Sequence, residues 1–427
     1  MRLRIEKAIY GGAGLARAEG QAVFVPFTLP GEIVEAEIVE QKGGFATAEL
    51  HSVVEPSPSR TRPPCPYFCK CGGCHYQHAG YSAQVEMKVT ILRETLERAH
   101  IRDIPEIAVV TGEPFGYRNR IRLHVRKNPF GLCYKLRNSR VDLPVMNCPV
   151  AAPLLQRAIE VLTREGPGLE LAEYVTEMEL FANQSESEML LSLWTIRSTS
   201  DAKRFLDKVS PSLRQMLPEM SGAGMYSSGN GRIPGRLLAV TGADAMQYSA
   251  AGWQYRVGFA CFFQVNRFLI DPLVQLVAEG ESGDTAWDLY AGIGLFSLNL
   301  AKNFAETTAV ESSATAIRYL RENLRGTKHR VVAAETAAFL RRAVQQRQAA
   351  PDLLVVDPPR AGLGRDVTTA LEKLRPRKIT YVSCDPATLS RDLALLLESG
   401  YRLRKMHLLD LFPQTFHLES VTHLTLD

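Results

Sequence analysis

The chain has 427 residues and a mass of 47.4 kDa, more than one hydrophobic core usually organises, so two or three domains are expected and a single-domain reading is set aside. Hydrophobic residues make up 45% and charged residues 22%, a globular balance that excludes a mainly disordered or fibrous chain. The net charge of +4 is unevenly spread: residues 1 to 59 carry 5 Lys/Arg against 8 Glu, while residues 60 to 140 carry 15 Lys/Arg against 6 Asp/Glu, a net of +9.

The first residues, Met1 to Gly12, are basic but hold no apolar run, and no stretch anywhere reaches the roughly 18 apolar residues of a membrane span. Secretion and membrane insertion are therefore not expected, and a cytoplasmic location is. Residues 1 to 55 alternate like short strands, as in Ala22-Val-Phe-Val-Pro26 and Glu32-Ile-Val-Glu-Ala-Glu-Ile-Val39, broken by Gly11-Gly-Ala-Gly14 and Pro30-Gly31. That punctuation predicts a small β-barrel of the OB type, a common nucleic-acid module. Its acidity argues against phosphate binding. Phe24, Phe27 and Phe45 serve either as stacking surfaces or, more commonly for such rings, as core. Pro56 to Pro64 reads as an extended linker and puts a boundary near 56.

Four of the eight cysteines, Cys65, Cys69, Cys71 and Cys74, fall within ten residues. In a reducing compartment this clustering suits a metal site better than a disulfide framework. Apolar periodicity predicts helices over Met87 to Ala99 and Leu154 to Thr163 and a strand over Leu190 to Trp194. In Tyr117 to Lys127, strand alternation sets Arg118, Arg120 and Arg122 on one side and Ile121, Leu123 and Val125 on the other. A row of guanidiniums suits a phosphate backbone, although a solvated strand face is the commoner use of such charge.

From about residue 261 strands and helices alternate, with buried-looking strands at 287–290, 307–311, 352–357 and 378–383. This predicts a parallel sheet covered by helices on both faces, with ligands at the carboxyl ends of its strands. Asp288-Leu-Tyr-Ala-Gly-Ile-Gly-Leu-Phe296 places Gly292 and Gly294 at a strand-to-helix turn, without the third glycine of a dinucleotide fingerprint and without a Gly-Lys-Ser/Thr phosphate loop. Glu311, about 20 residues on, ends the next strand, where an acid accepts ribose hydroxyls. A glycine turn and a strand-end acid with no phosphate cradle fit S-adenosylmethionine.

These segments, with Phe262-Phe-Gln-Val-Asn266, Asp357-Pro-Pro-Arg-Ala-Gly362, Ser383-Cys-Asp-Pro-Ala-Thr-Leu-Ser-Arg-Asp392 and Pro413-Gln-Thr-Phe-His-Leu-Glu419, resemble the RNA 5-methyluridine methyltransferases along essentially the whole chain. The N-terminal barrel resembles a TRAM domain. Cys65-Pro-Tyr-Phe-Cys-Lys-Cys-Gly-Gly-Cys74 resembles the iron-sulfur motif of the branch that acts on a uridine of 23S ribosomal RNA. The resemblance implies a multidomain α/β protein: a TRAM-like barrel over 1–55, a central α+β RNA-binding domain with the cysteine cluster over 56–260, and a Rossmann-like methyltransferase domain over 261–427.

It further implies that Gln264, Tyr290, Glu311 and Asp357 contact S-adenosylmethionine beside the Gly292 and Gly294 turn. The family's turn usually has Cys where this chain has Ala291, and no residue near Ala334-Glu335 aligns well enough to carry over. Carbon 5 of uracil is too weak a nucleophile to accept a methyl group from a sulfonium until a thiolate adds at carbon 6. By resemblance Cys384 is that nucleophile and Glu419 the base that removes the carbon 5 proton. A free Cys is mostly protonated at neutral pH, so the site is expected either to lower its pKa, with Arg391 as a source of positive potential, or to couple attack to proton transfer.

Cys65, Cys71 and Cys74, with Cys148 downstream, are the implied ligands of a 4Fe-4S cluster, for which spacing alone leaves zinc an even rival. Cys69 is an alternative ligand or solvent-facing, and Cys133 and Cys261 are structural. The expected partner is RNA, 23S rRNA before transfer RNA, with no obligate protein partner. A catalytically inactive RNA-binding iron-sulfur protein is the alternative from another class, disfavoured by the retention of Cys384 and Glu419.

Overall fold

The computed structural model describes residues 1–229 and 235–426. Its first unit is a six-stranded sheet in the order Arg2–Arg4, Ile33–Lys42, Phe45–Glu55, Gln21–Pro26, Ala13–Ala18, Lys7–Ala8. Leu3 and Ile5, from one edge, share a core with Val23, Val25, Val34 and Ala46, so the sheet closes on its own small interior. The alternation that signalled these strands is what fills that interior, each inward residue being followed by an outward one.

A seven-stranded mixed sheet follows, Asp142–Pro144, Gly131–Lys135, Arg120–Arg126, Glu177–Ala182, Met189–Thr195, Met220–Ser227, Leu237–Gly242 in spatial order. The helices Pro153–Glu165 and Thr199–Met216 bury Leu155, Ile159, Phe205 and Leu213 in the core it shares.

The third unit is an eight-stranded sheet ordered His329–Ala333, Phe304–Glu311, Gly283–Leu289, Leu353–Val356, Lys378–Ser383, Glu419–Leu426, Tyr401–Leu409, Ile107–Val110. Its first five strands are parallel, and Leu353–Val356, near the middle of the sheet, is wholly apolar and buried on both faces, while the edge strand His329–Ala333 is not. The chain enters at Gly283–Leu289, winds outward to His329–Ala333 and returns to Leu353–Val356 on the other side. The strand order therefore reverses between Leu289 and Val356, the place where open α/β sheets leave a crevice for ligands.

Of two elements expected in the middle of the chain, one joins this sheet and the other, a separate two-stranded sheet, packs into its core. The strand Ile107–Val110 pairs with Tyr401–Leu409, and the hairpin Ala245–Ala250/Trp253–Gly258 puts Met246, Tyr248, Tyr255 and Val257 into the same core as Phe263, Leu273 and Leu295. Short strands find partners by tertiary packing that local sequence does not encode. The helix over Tyr81–Arg98 begins six residues before its expected start and packs on the helix Pro386–Glu398. Among the described residues no helix is long and apolar enough to cross a membrane.

Candidate active site

The crevice is built first from the turn after Gly283–Leu289. Tyr290, Gly292 and Gly294 all have positive φ, at +65°, +56° and +94°. A Cβ on Gly294, besides its positive φ, would lie 2.9 Å from Leu320 Cδ1, so glycine lets the helix Ala314–Asn323 pack against this turn. At Gly292 an added Cβ meets nothing within 4 Å, and that side of the turn faces open space. Tyr290, a non-glycine residue in the left-handed region, marks the kind of strained turn that packing maintains at functional sites.

Three acids surround this turn. Glu311 accepts from the Gly292 N–H at 2.8 Å and from the Ser312 and Ser313 N–H groups at 2.8 and 2.7 Å, so its carboxylate braces the loop it borders. Asp288 is fully buried; Ser297 Oγ donates to its Oδ2 at 2.5 Å, while Oδ1 has no partner in the protein. Burial pushes Asp288 up to about 7, with the Glu311 charge adding to the effect. Asp357 follows the strand Leu353–Val356, and burial followed by the field of Asp288 raises it to about 7 as well. An acidic edge with an unpartnered carboxylate oxygen fits a cationic ligand that brings a sulfonium, an ammonium and two ribose hydroxyls.

Gln264 is buried, and its segment is stitched in from both sides: Asn119 donates through Nδ2 to Gln264 O at 3.2 Å, and Asn266 donates through Nδ2 to Leu411 O at 3.1 Å. Ala291, the residue that departs from the usual turn, is buried behind it and donates its N–H to Val310 O at 3.0 Å.

Cys384 and Glu419 come together through strand register. Lys378–Ser383 runs antiparallel to Glu419–Leu426, with Ser383 opposite Ser420, which sets the residue after one strand beside the first residue of the other. The Cys384 thiol is pushed up to about 12 by burial, then by Glu419 and Asp357, with only Arg360 acting in the opposite direction among its nearest charges. Glu419, 3% exposed, is raised well above the usual carboxylate range by burial and then by Asp357, again opposed by Arg360. The expectation that the site lowers the thiol pKa is therefore corrected: burial deprives its charge of water, and Glu419, Asp357 and Asp385 all disfavour the thiolate.

Arg391 is not the cation that faces the thiol. Its guanidinium donates to Asp392 Oδ1 at 2.9 and 2.8 Å and to Ala361 O at 2.8 Å, while Asp392 also accepts from Leu363 N–H and the Tyr381 hydroxyl. This cluster shapes the loop after Asp357, where a Cβ on Gly362 would fall 2.4 Å from Asp392 Oδ2. Arg360 stands at the mouth instead, with Nη2 3.4 Å from the ring nitrogens of His417; burial and Arg360 hold that imidazole down near 4, neutral at physiological pH.

A cavity of about 560 Å³ is lined by Cys65, Cys71, Cys74 and Cys148 and also by Arg360 and His417. Cys74 is pushed up to about 12, chiefly by burial and then by Cys148, Cys71 and Cys65, which shows the four thiols within one another's field. Cys69 is exposed, has a φ of +69° and does not line the cavity; Cys133 and Cys261 are buried in the core. Among the described residues, no group of three or more His, Cys, Asp or Glu side chains is close enough to hold a metal ion.

The model of the family described as tRNA (Uracil-5-)-methyltransferase matches residues 243–426, and that of the TRAM domain matches residues 1–51. Over 433 residues the chain is 34% identical to an uncharacterized RNA methyltransferase of Aquifex aeolicus, covering 99% of this chain and 98% of that protein. It is 32% identical to the 23S rRNA (uracil(1939)-C(5))-methyltransferase RlmD of Pectobacterium atrosepticum, covering 96% and 90%. The chain belongs to the RNA uracil-C5 methyltransferase family. The crystal structure of Pyrococcus abyssi tRNA (uracil-54, C5)-methyltransferase with S-adenosyl-L-homocysteine superposes with a TM-score of 0.79 at 25% identity, covering 100% of both chains.

In this methyltransferase the expected row of guanidiniums is largely occupied by the protein itself. Arg120 is half-buried over the Phe181 ring at 3.8 Å and donates to Cys261 O; Arg122 pairs with Glu177 at 2.7 Å and lies 3.9 Å over Trp194. Arg118 lies outside the strand, which begins at Arg120, and lines the cysteine cavity. Alternation correctly separated the faces, but Glu177 and Glu179 on the neighbouring strand were not visible as partners. Arg360 and His417 had no assigned role, although Arg360 is the one cation of its motif; Tyr10, which reaches this site from the barrel, gave no local signal.

Proposed function

We propose that the enzyme methylates carbon 5 of a uridine in 23S rRNA, with Cys384 as nucleophile and Glu419 as general base. The observation that carries this reading is the convergence, at the strand-order reversal, of a thiol and a carboxyl from neighbouring strands on the acidic edge around Gly292. Gln264, Tyr290, Gly292, Gly294, Glu311 and Asp357 hold the S-adenosylmethionine, which supplies an electrophilic methyl group when bound. The RlmD relatives favour ribosomal RNA over the transfer RNA named for the archaeal structure.

Cys384 bonds to carbon 6 of the extruded uracil, and the ring electrons move toward its carbonyl oxygen, making carbon 5 the acceptor of the methyl group. Because the resting thiol is protonated, attack is coupled to loss of its proton; Glu419, Asp357 and Asp385 are the carboxylates whose fields reach the sulfur. Glu419 then removes the carbon 5 proton, and the electron pair left behind expels the thiolate. His417, neutral beside Arg360, adds no charge of its own at the mouth, where an RNA phosphate or the developing enolate meets the arginine.

Cys65, Cys71, Cys74 and Cys148 hold a 4Fe-4S cluster in this proposal. The likeness of Cys65 to Cys74 to an iron-sulfur motif favours iron over zinc, and the four thiols line one cavity. The cluster orders the middle of the chain and takes no part in methyl transfer. The proposed division is 1–55, 56–260 and 261–427, with Ile107–Val110 and the 245–258 hairpin packed on the catalytic sheet.

Mapping 5-methyluridine in 23S rRNA and transfer RNA from cells with and without the gene tests the substrate. Loss of one ribosomal site, restored by the wild-type gene and not by Cys384→Ala, is expected; loss confined to transfer RNA overturns the ribosomal assignment.

A further inference from the structure

The acidic N-terminal barrel makes a direct contact with the catalytic turn. Tyr10 lies between the barrel strands Lys7–Ala8 and Ala13–Ala18, and its hydroxyl donates at 3.1 Å to Oδ2 of Asp385, 375 residues away. Asp385 immediately follows Cys384. Its other oxygen, Oδ1, caps the helix Pro386–Glu398 by accepting from Ala387 and Thr388 N–H at 3.1 and 2.9 Å. The Tyr10 ring meets Phe416 edge-on, with centroids 5.3 Å apart, in the loop that leads to Glu419.

The turn is not on a swinging arm. Ile9 and Gly12 close it through backbone bonds, and a Cβ on Gly12 would stand 3.0 Å from His75 Cβ. At the barrel's base Arg60 makes a two-pronged bond to the fully buried Glu32 at 2.5 and 2.8 Å, and Lys7 pairs with Glu94 at 2.7 Å.

We propose that Tyr10 is a positioning residue for the methyl transfer, tying the turn that carries Cys384 to the loop that carries Glu419. This rests on the roles given to those two residues. The hydroxyl fixes the Asp385 carboxylate and draws its charge away from the neighbouring sulfur; without it, Asp385 keeps its cap through one oxygen while the other turns its full charge on a thiol it already makes harder to ionise. The ring holds the Phe416 segment in register with that turn. The barrel thereby completes the catalytic centre through a neutral side chain, a role its acidity does not oppose.

Tyr10→Phe removes only the hydroxyl. Three measurements are made on the full-length protein: adduct formation with 5-fluorouracil-containing RNA at saturating RNA and S-adenosylmethionine, RNA affinity, and the pH profile of Cys384 alkylation by iodoacetamide, followed by peptide mass spectrometry. The expected result is about tenfold slower adduct formation, RNA affinity within about twofold, and an alkylation profile displaced to higher pH. In an Asp385→Ser background, where the shorter hydroxyl still caps the helix but cannot reach Tyr10, adding Tyr10→Phe should change neither rate nor profile. A wild-type rate and profile in Tyr10→Phe, or weaker RNA binding at an unchanged saturated rate, overturns the proposal. An adduct that persists in Cys384→Ala instead overturns the nucleophile assignment, and the alkylation profile still reports whether Tyr10 governs that thiol.

Discussion

Lys88 and Asp410 form a fully buried ion pair, Nζ to Oδ1 at 2.5 Å, in which Lys88 also donates to Phe412 O at 3.0 Å. The pair pins the start of the loop 410–418 to the helix Tyr81–Arg98. Gln84, one turn earlier, exchanges bonds with Gln414 through its amide nitrogen at 3.0 Å and its oxygen at 2.9 Å. His75 and Tyr76, just after the last clustered cysteine, both donate to Gln414 O at 2.8 and 2.9 Å. The loop that ends at Glu419 is thus held by the middle of the chain.

Lys88→Met leaves Asp410 buried without its countercharge. A loss of about 3–5 kcal/mol is expected from chemical denaturation, with much of it recovered in Lys88→Met/Asp410→Leu, which removes both charges. A single variant as stable as the parent contradicts the pair's role.

Gly292 and Gly294 should respond differently to alanine. At Gly294 the added methyl collides with Leu320, so the variant loses fold stability. At Gly292 the cost is the left-handed backbone alone, roughly 1–2 kcal/mol, but the methyl projects into the open side of the turn. Calorimetry should find Gly292→Ala folded and with S-adenosylmethionine binding weakened well beyond that stability loss. Unaltered cofactor affinity would falsify the placement of the ligand at this turn.

Asp288 and Asp357, both near 7 in the folded protein against an ordinary 3.8, bind protons more tightly folded than unfolded. Their contribution to stability is therefore full below about pH 4 and falls as pH rises to about 7. A cationic cofactor favours the ionised acids, so its stabilising effect should grow over the upper part of that range. Thermal melts at about pH 6 and about pH 8, with and without S-adenosylmethionine, should show the larger increase at the higher pH, and Asp357→Asn should reduce the difference. A shift independent of pH contradicts the acidic edge as the cofactor site.

Much of this was legible where the information is local. The Gly292 turn, the strand-end Glu311 and the cysteine spacing are each written within a few residues; the strands of 1–55 show as alternation and those of 287–383 as apolar runs, according to how many faces are buried. What depends on distant partners was not legible. Arg391 is a cation near Cys384 in sequence, but Asp392, itself buried, claims it; Arg120 is on a strand's outer face until Phe181 covers it. The direction of the Cys384 shift is set by Glu419 and Asp357, which only the antiparallel last strand and the strand reversal bring within reach.

Serine replacement of Cys65, Cys71, Cys74 or Cys148 should each lower iron content and visible absorbance in protein purified without air, whereas Cys69→Ser and Cys133→Ser should leave both near the parent level. Stoichiometric zinc in place of iron, or dependence on Cys69, contradicts the ligand set.

Glu419→Gln keeps the shape of the base and removes its ability to take the carbon 5 proton. Methyl transfer should then stop at a covalent complex of protein with methylated RNA, visible as a heat-stable band in a denaturing gel. Free turnover by this variant moves the base to another residue.

The most direct measurement is mass spectrometry of the protein after reaction with S-adenosylmethionine and RNA carrying 5-fluorouracil, whose fluorine cannot leave as the proton does. The account expects a methylated fluorouridine attached through sulfur to the peptide containing Cys384, and no adduct with Cys384→Ala. A methylated product formed at the parental rate without that bond, or an adduct on another cysteine, contradicts it.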